Sequence, residues 1–310
     1  MKSVLAFGEI LWDLLPSGQV LGGAPFNFAY RFFSQGGRVR ISSRLGRDNL
    51  GEQAIGIIEG FGLDTSLIQW DTQHATGTVP VTVDSNGVPD FTILPDVAYD
   101  HIDPLDELLK SASVSDCISF GTLIQRTQTS RQTLAGILEA SPKSLKFLDI
   151  NLRRDCYSYE TVLSSLRSTD ILKLNEDEVF IVAGLLGMKS LDFFTILDGL
   201  LDRYDISYCL VTLGAEGVFA LSHDAERLYI PGWDIDVVDT VGSGDAFSAG
   251  FLHSWLTGLS FRESCTRGNC LGAAAAMTQG GTTVIMSDML ESINDERRAR
   301  NVRTDFERYS

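Results

Sequence analysis

Asp239-Thr-Val-Gly-Ser-Gly-Asp245-Ala-Phe247 is the stretch on which the fold reading turns. A strand is expected to run into Val241–Gly244, and a helix to open at Asp245. Phe247, Phe251 and Trp255 follow at intervals of four, which gives that helix one buried face. Gly242 and Gly244, on either side of Ser243, carry no Cβ, so the backbone can turn successive N–H groups toward one external anion. The helix macrodipole adds positive potential at the same point. Asp245 puts a carboxylate beside this anion hole, placed to accept a proton from an attacking hydroxyl. A glycine turn followed by an ordinary first-turn acid is the plainer alternative.

Outward from this stretch the chain alternates strands and helices. Strands are expected at Val4–Phe7, 39–45, Cys117–Phe120, Phe147–Ile150, Ile171–Leu174 and near Ile235–Val238. Helices are expected at Phe26–Phe33, Asn49–Gly60, Thr129–Glu139, Tyr159–Leu166, Val179–Leu186, Asp245–Leu256 and around Asn269–Thr278. Tyr208–Leu213 and Val218–Leu221 read as a hairpin across Gly214–Gly217. Repeated βα units imply a mostly parallel sheet between helical layers. One segment departs from this texture. Thr76–Val83 and Asp90–Leu94 alternate apolar and polar residues around the turn signal Ser85-Asn86-Gly87, an antiparallel hairpin inserted into an α/β chain.

The 310 residues include 41 Asp and Glu against 25 Lys and Arg, a formal net charge of −16. Such a surface repels nucleic-acid phosphates, so no nucleic-acid partner is expected, and a phosphorylated small ligand must be held by local devices. Five cysteines without paired spacing argue against a disulfide framework or a zinc finger and fit a reducing compartment. Glu9 and Asp13 interrupt the N-terminal apolar run, and no stretch reaches membrane-spanning length. A soluble, cytoplasmic protein is expected.

Further motifs sit at the ends of expected strands. Gly22-Gly-Ala-Pro-Phe-Asn27, with Asp13 upstream, offers an acceptor and a mixed donor–acceptor suited to vicinal hydroxyls; a turn-forming Asp and an early-helix Asn account for them equally well. Asn175-Glu-Asp-Glu178 has the spacing of a helix capping box, and equally of two side chains meeting a Mg²⁺-bound phosphate. Asp149-Ile-Asn151-Leu-Arg153 ends another strand, where ligands gather in open parallel sheets; Arg153 also reads as a solvated surface residue. Walker, protein-kinase and dinucleotide-binding signatures are absent from the sequence.

With both glycine motifs in order and Asn175-x-x-Glu178 between them, the whole chain resembles the PfkB/ribokinase family of carbohydrate kinases, and among them fructokinase-like members. The resemblance implies a three-layer α/β/α sandwich with a mostly parallel central sheet and a small β-sheet lid. It implies a single domain over 1–310, with the lid contributed by about 11–24 and 68–100, and a homodimer formed through it. It also implies ATP-dependent phosphorylation of a small sugar. Fructose is the expected acceptor, with ribose, 2-keto-3-deoxygluconate or a nucleoside as alternatives and a non-catalytic sensor on the same fold as the rival. Asp245 matches the catalytic base and Gly242, Ser243 and Gly244 the anion hole. Asp13, Gly23 and Asn27 match sugar-binding positions, to which Arg153 is added. Asn151, Asn175, Thr212, Gly214, Gly217 and Asn269 are expected at the nucleotide, and Glu178 near Mg²⁺. Asp239 and Val241 match a site for a monovalent cation, K⁺ in many members, with Ala276, Gln279 and Gly281 beside it. Gly280-Gly281 stands where the family has Gly-Ala.

Overall fold

A computed structural model describes residues 2–16, 18–83, 89–189, 192–293, 295 and 298–310. In chain order its first half comprises β1 (Ser3–Phe7), β2 (Leu11–Leu15), β3 (Gly18–Gly22), α1 (Ala24–Ser34), β4 (Arg38–Gly46), α2 (Asn49–Gly60), β5 (Ile68–Asp71), β6 (Gly77–Val83) and β7 (Pro89–Phe91). Next come α3 (Asp106–Val114), β8 (Cys117–Phe120), α4 (Gln128–Ala140), β9 (Leu145–Asp149), α5 (Tyr159–Leu166), β10 (Ile171–Asn175) and α6 (Glu176–Leu185). The remainder is α7 (Phe193–Tyr204), β11 (Tyr208–Thr212), β12 (Gly217–Ser222), β13 (Arg227–Trp233), α8 (Ser243–Leu256), α9 (Phe261–Ala276), α10 (Ser287–Ile293) and β14 (Arg300–Asn301).

Ten strands form one sheet in the order β14-β13-β12-β11-β10-β9-β8-β1-β4-β5, parallel from β11 to β5 and antiparallel from β11 to β14. Alternation along the strands divides the core in two. Leu5 and Phe7 of β1 join one cluster with α3 to α7, and Val4 and Ala6 join the other with α1, α2, α8 and α9. Side chains two apart share a sheet face, so one apolar strand feeds both layers. The three-layer α/β/α class expected from the sequence is the class observed.

β3-β2-β6-β7 make a second, four-stranded sheet. β2 pairs with β3 antiparallel and with β6 parallel, Asp13 lying opposite Val20 and Val79. β6 and β7 pair antiparallel as the alternation implied; the Ser85-Asn86-Gly87 turn lies outside the described residues. β5, by contrast, pairs with β4 in the large sheet, so residues 68–71 belong there.

One expected strand is not formed. Residues 234–242 are irregular, and the strand before α8 is β13. The Val238 and Asp239 amides both donate to Ala276 O at the end of α9, at 2.8 and 3.2 Å, and Val237 and Val238 stay exposed. Apolar β-branched residues marked a strand there, but the donors went to a helix terminus. No helix among the described residues is long and apolar enough to cross a membrane.

Candidate active site

β1, β8, β9, β10 and β11 run parallel, so their C-terminal ends share one edge of the sheet. The first turn of α8 meets that edge. Gly242 caps the helix at φ 76, and a Cβ there would come within 2.6 Å of Gly281 Cα, so the turn requires glycine. Ser243 Oγ donates to Gly272 O of α9 at 2.9 Å, and the Ser243 amide donates to Thr240 O at 3.2 Å. Ser243 is therefore spent on holding the turn, whereas the Gly242, Gly244 and Asp245 amides have no partner among the described residues. Three free N–H groups at a helix terminus can bind an oxyanion.

Asp245 is the third residue of α8, and its Oδ2 accepts from Asn27 Nδ2 at 2.9 Å across 218 residues of sequence. Asn27 lies in α1, itself begun by Gly23 at φ 107, where a Cβ would sit 2.5 Å from Glu9 O. Burial, seconded by the nearby Asp149 charge, pushes the Asp245 carboxyl up to about 6, against the Asn27 hydrogen bond and the charges of Lys173 and Arg153. A helix N-terminus by itself keeps a carboxylate ionised and weakly basic; here desolvation outweighs that dipole. At neutral pH it is still mainly a carboxylate, and a stronger base than a solvated one.

Two charged residues of the site were not anticipated. Glu9, in the link from β1 to β2, is only 4% exposed, and its Oε1 accepts from Ala24 N at 3.2 Å. Burial raises its carboxyl to about 7, partly offset by its own backbone hydrogen bond and by Arg153. Lys173 is buried in the middle of β10, with Nζ 3.0 Å from Asp149 Oδ1, while Ser248 Oγ donates to Asp149 Oδ2 at 2.8 Å. A Cβ on Gly244 would lie 3.1 Å from that Nζ, which puts a buried cation directly beneath the open helix turn. Burial alone would depress the ammonium, but Asp149 and Glu178 hold it above its usual range. In sequence each is a single charge in an apolar run, Glu9 between β1 and β2 and Lys173 inside β10.

Glu9, Asp149, Asn151 and Asp245 line one cavity with Ala24, Pro25 and Phe28 of α1. Asp13, on β2 of the small sheet, shares with Glu9 and Asp245 the influence of the Arg153 charge. Its Oδ2 occupies the space a Cβ on Gly22 would need, 2.8 Å away. Burial raises this carboxyl to about 6, eased by Arg153. Arg153 is itself exposed, and its charge acts on Glu9, Asp13 and Asp245 together.

Asn175 and Glu178 form the capping box in full. Glu178 N donates to Asn175 Oδ1 at 2.9 Å, and Asn175 N donates to Glu178 Oε2 at 2.7 Å. Glu178 Oε1 accepts a third amide, Leu152 N, at 2.8 Å. No three carboxylates of this region converge on one point among the described residues. Both Glu178 oxygens are thus engaged by amides, so the pair suits contact with Mg²⁺ through water, an ion that keeps several waters and leans on substrate phosphates. A monovalent cation needs direct oxygen ligands, and at Asp239 these are already engaged. Asp239 Oδ1 accepts Val241 N at 3.0 Å, Oδ2 accepts Gly280 N at 2.9 Å, and Ala276 O already takes two amides.

On the far side of Asn175, Thr212 ends β11 with its hydroxyl 3.3 Å from Leu174 O. Gly214 (φ 59) and Gly217 (φ 99) shape the turn into β12. A Cβ on Gly217 would lie 2.1 Å from Ile230 O, the carbonyl that Asn269 Nδ2 approaches at 3.4 Å beside Pro231 O at 3.1 Å. Asn269 and Gly217 thus pack on the same two residues of β13.

Residues 17–288 match the model of the pfkB family carbohydrate kinases. The chain is 28% identical over 307 residues to a fructokinase of Escherichia coli, covering 91% of this chain and 95% of that protein. It is 26% identical to a putative sugar kinase of Pyrococcus horikoshii over 314 residues, covering 95% and 96% of the two chains. Among solved structures, a Xylella fastidiosa fructokinase with bound ATP superposes with a TM-score of 0.83 at 21% identity, over 94% of this chain and 97% of that one. A Vibrio cholerae fructokinase holding fructose, ADP and a calcium ion gives 0.81 at 22% identity, over 94% and 99%. At these identities the superpositions speak for the fold.

Proposed function

Because the chain belongs to the pfkB family of carbohydrate kinases, we propose that it is an ATP-dependent fructokinase. The observation that carries this reading is the Asn27–Asp245 contact, which joins the two glycine motifs at an open helix N-terminus beside a cavity that Glu9, Asp149 and Asn151 help to line. Fructokinases among its sequence relatives, and fructose, ADP and ATP in structures of the same fold, support the choice of substrates.

In this mechanism Asp13 and Asn27 bind sugar hydroxyls, and Arg153 adds positive charge at the rim. Asp245 orients the acceptor hydroxyl and takes its proton as the hydroxyl oxygen bonds to the γ-phosphorus. The bond to the bridging oxygen breaks, and ADP leaves with that electron pair. Charge on the transferring group meets the Gly242, Gly244 and Asp245 amides, with the Lys173 ammonium beneath them. When bound, Mg²⁺ neutralises phosphate charge; Glu178 and Asn175 would hold it through its waters. Thr212, Gly214, Gly217, Asn269 and Asn151 are assigned to the nucleotide.

The small sheet is read as a lid, since Asp13 belongs to it and a bound sugar would tie it to α8. Its outer strands β3 and β7 offer backbone edges for pairing with a second copy, and sedimentation tests that homodimer. None of the five cysteines is in a disulfide and all are buried, which suits the cytoplasm.

The test is coupled ADP release over fructose, ribose, 2-keto-3-deoxygluconate and nucleosides. Fructose is expected to give the highest kcat/KM. Preference for another acceptor would move the specificity, and ATP and sugar binding without turnover would replace the kinase with a sensor.

A further inference from the structure

Away from the cavity, two histidines and two carboxylates meet where the small sheet joins the large one. His74 lies in the connection from β5 out to β6. Asp96 lies in the return from β7, and His101 ends the short helical turn Ala98–His101 that follows. The imidazoles stack with centroids 3.6 Å apart and planes 12° from parallel. His101 Nε2 is 3.0 Å, and His74 Nε2 3.6 Å, from the same oxygen, Asp96 Oδ1. His74 Nδ1 is 3.0 Å from Asp71 Oδ2, an oxygen that Arg44 Nε also approaches at 2.8 Å. Asp71 is already fixed by accepting the Gln73 and His74 amides on Oδ1, at 2.7 and 2.9 Å.

Two connections of the chain thus bring three potential ligand atoms together. In the neutral tautomer that donates from Nδ1 to Asp71, His74 keeps Nε2 available as a metal ligand, 3.6 Å from Asp96 Oδ1. We propose that His74 Nε2, His101 Nε2 and Asp96 Oδ1 form a site for a divalent transition metal of the zinc class at the stem of the small sheet.

The donor set and its surroundings suit that ion. Neutral imidazoles with one carboxylate are ligands for Zn²⁺, and Zn–N bonds of about 2.0–2.1 Å in a tetrahedron put donor atoms about 3.3 Å apart. The separations of 3.0 and 3.6 Å to Asp96 bracket that value, and the three donor atoms lie within 4.8 Å of one another. Asp71 behind His74 completes a carboxylate–histidine pair of the kind that orients zinc ligands. Among the described residues this is the one group of three His, Cys, Asp or Glu donors that converges so closely. Side-chain torsions must open the stacked rings so that both lone pairs reach one ion, and both rings are only partly buried. Asp96, at φ 57, takes the left-handed conformation that Asp tolerates, and its side chain is exposed. The remaining positions of the ion would hold water. An ion here ties the outgoing connection of the small sheet to its return.

The test uses the full chain, stripped with a chelator and titrated with Zn²⁺ alone in competition with a chromophoric chelator. Co²⁺ serves as a second probe through its visible d–d bands, and amide exchange is followed with and without Zn²⁺. One ion per chain is expected, with slower exchange in 72–76 and 92–101. His74→Gln and His101→Gln are each expected to weaken binding by roughly 100-fold or more, and Asp71→Asn by about 10–100-fold as an outer partner. Asp96→Asn, at an exposed side chain that the fold does not need, is expected to weaken it too. His223→Gln, at the one histidine paired with a lone carboxylate elsewhere, should change nothing. No saturable one-to-one binding would overturn the site, as would binding that survives in folded His101→Gln or Asp96→Asn.

Discussion

Glu9→Gln isolates the cost of a buried carboxylate beside the candidate active site. Glu9 is 4% exposed, and burial moves its carboxyl from an ordinary 4.5 to about 7. The unfolded chain releases this proton near pH 4.5, whereas the folded chain holds it to about pH 7. Between those values the folded state binds more protons, so stability is whole below pH 4.5 and declines as pH rises to about 7. At about 1.36 kcal/mol per pH unit, the span from 4.5 to about 7 removes about 3 kcal/mol. Glutamine keeps the shape and the acceptor for Ala24 N but does not titrate. The variant is therefore expected to gain about 3 kcal/mol on the wild type between pH 4 and pH 8, whatever its offset at pH 4. Asp13 and Asp245 titrate in both proteins and largely cancel. Reversible denaturant unfolding of the two proteins across this range gives the difference directly. A difference that stays flat from pH 4 to pH 8 would refute the reasoning, because it would mean that water or Arg153 solvates the carboxylate in the folded state.

Asp245→Asn is expected to lower kcat by about 10²–10⁴-fold with small changes in either KM. The wild-type rate should also fall as pH drops through about 6, where Asp245 takes up a proton. That acid limb should vanish in the residual activity of the variant, and a folded variant with wild-type kcat would return the site to a plain glycine turn. For Asp13→Ala the fructose KM is expected to rise by roughly one to several orders of magnitude, from charge-assisted hydrogen bonds worth about 1.5–3 kcal/mol each; the ATP KM serves as control. Lys173→Met leaves the half-buried Asp149 without its cation and is expected to cost up to about 3 kcal/mol in denaturant unfolding. Wild-type stability in that variant would mean that water from the cavity replaces the ammonium beside Asp149.

Local chemistry made much of this protein legible before any coordinates. α5 begins and ends where its sequence places it, because Ser158 caps it through its hydroxyl and apolar residues recur at helical spacing. Asn49–Gly60 is set the same way, with Asp48 accepting Gly51 N. Buried strands such as Cys117–Phe120 announce themselves as short apolar runs. Gly23 and Gly242 stand where positive φ excludes other residues, so both motifs around the site were visible as motifs. α7 carries a local signal too, for Asp192 caps it through Thr195 N, whereas α3 has no side-chain cap to mark it.

Tertiary structure decided the rest, and in each case a long-range term outweighed a local one. Val237 and Val238 have strand propensity, but the Ala276 carbonyl captured the amides at 238 and 239. Glu9 and Lys173 are single charges in apolar surroundings, and sequence does not say whether water or protein will surround them. Asp245 sits at a helix N-terminus, which alone would keep its pKa low, and desolvation with Asp149 nearby raises it instead. His74, Asp96 and His101 carry no recognisable spacing, since two chain connections bring them together only when both sheets are formed. Spacing and propensity act over a few residues, so the sequence by itself determined the βα order, the turns and the chemical character of the motifs. Solvent exclusion and charge act through space, so only the folded chain decided which acids are poised to take a proton and which side chains meet.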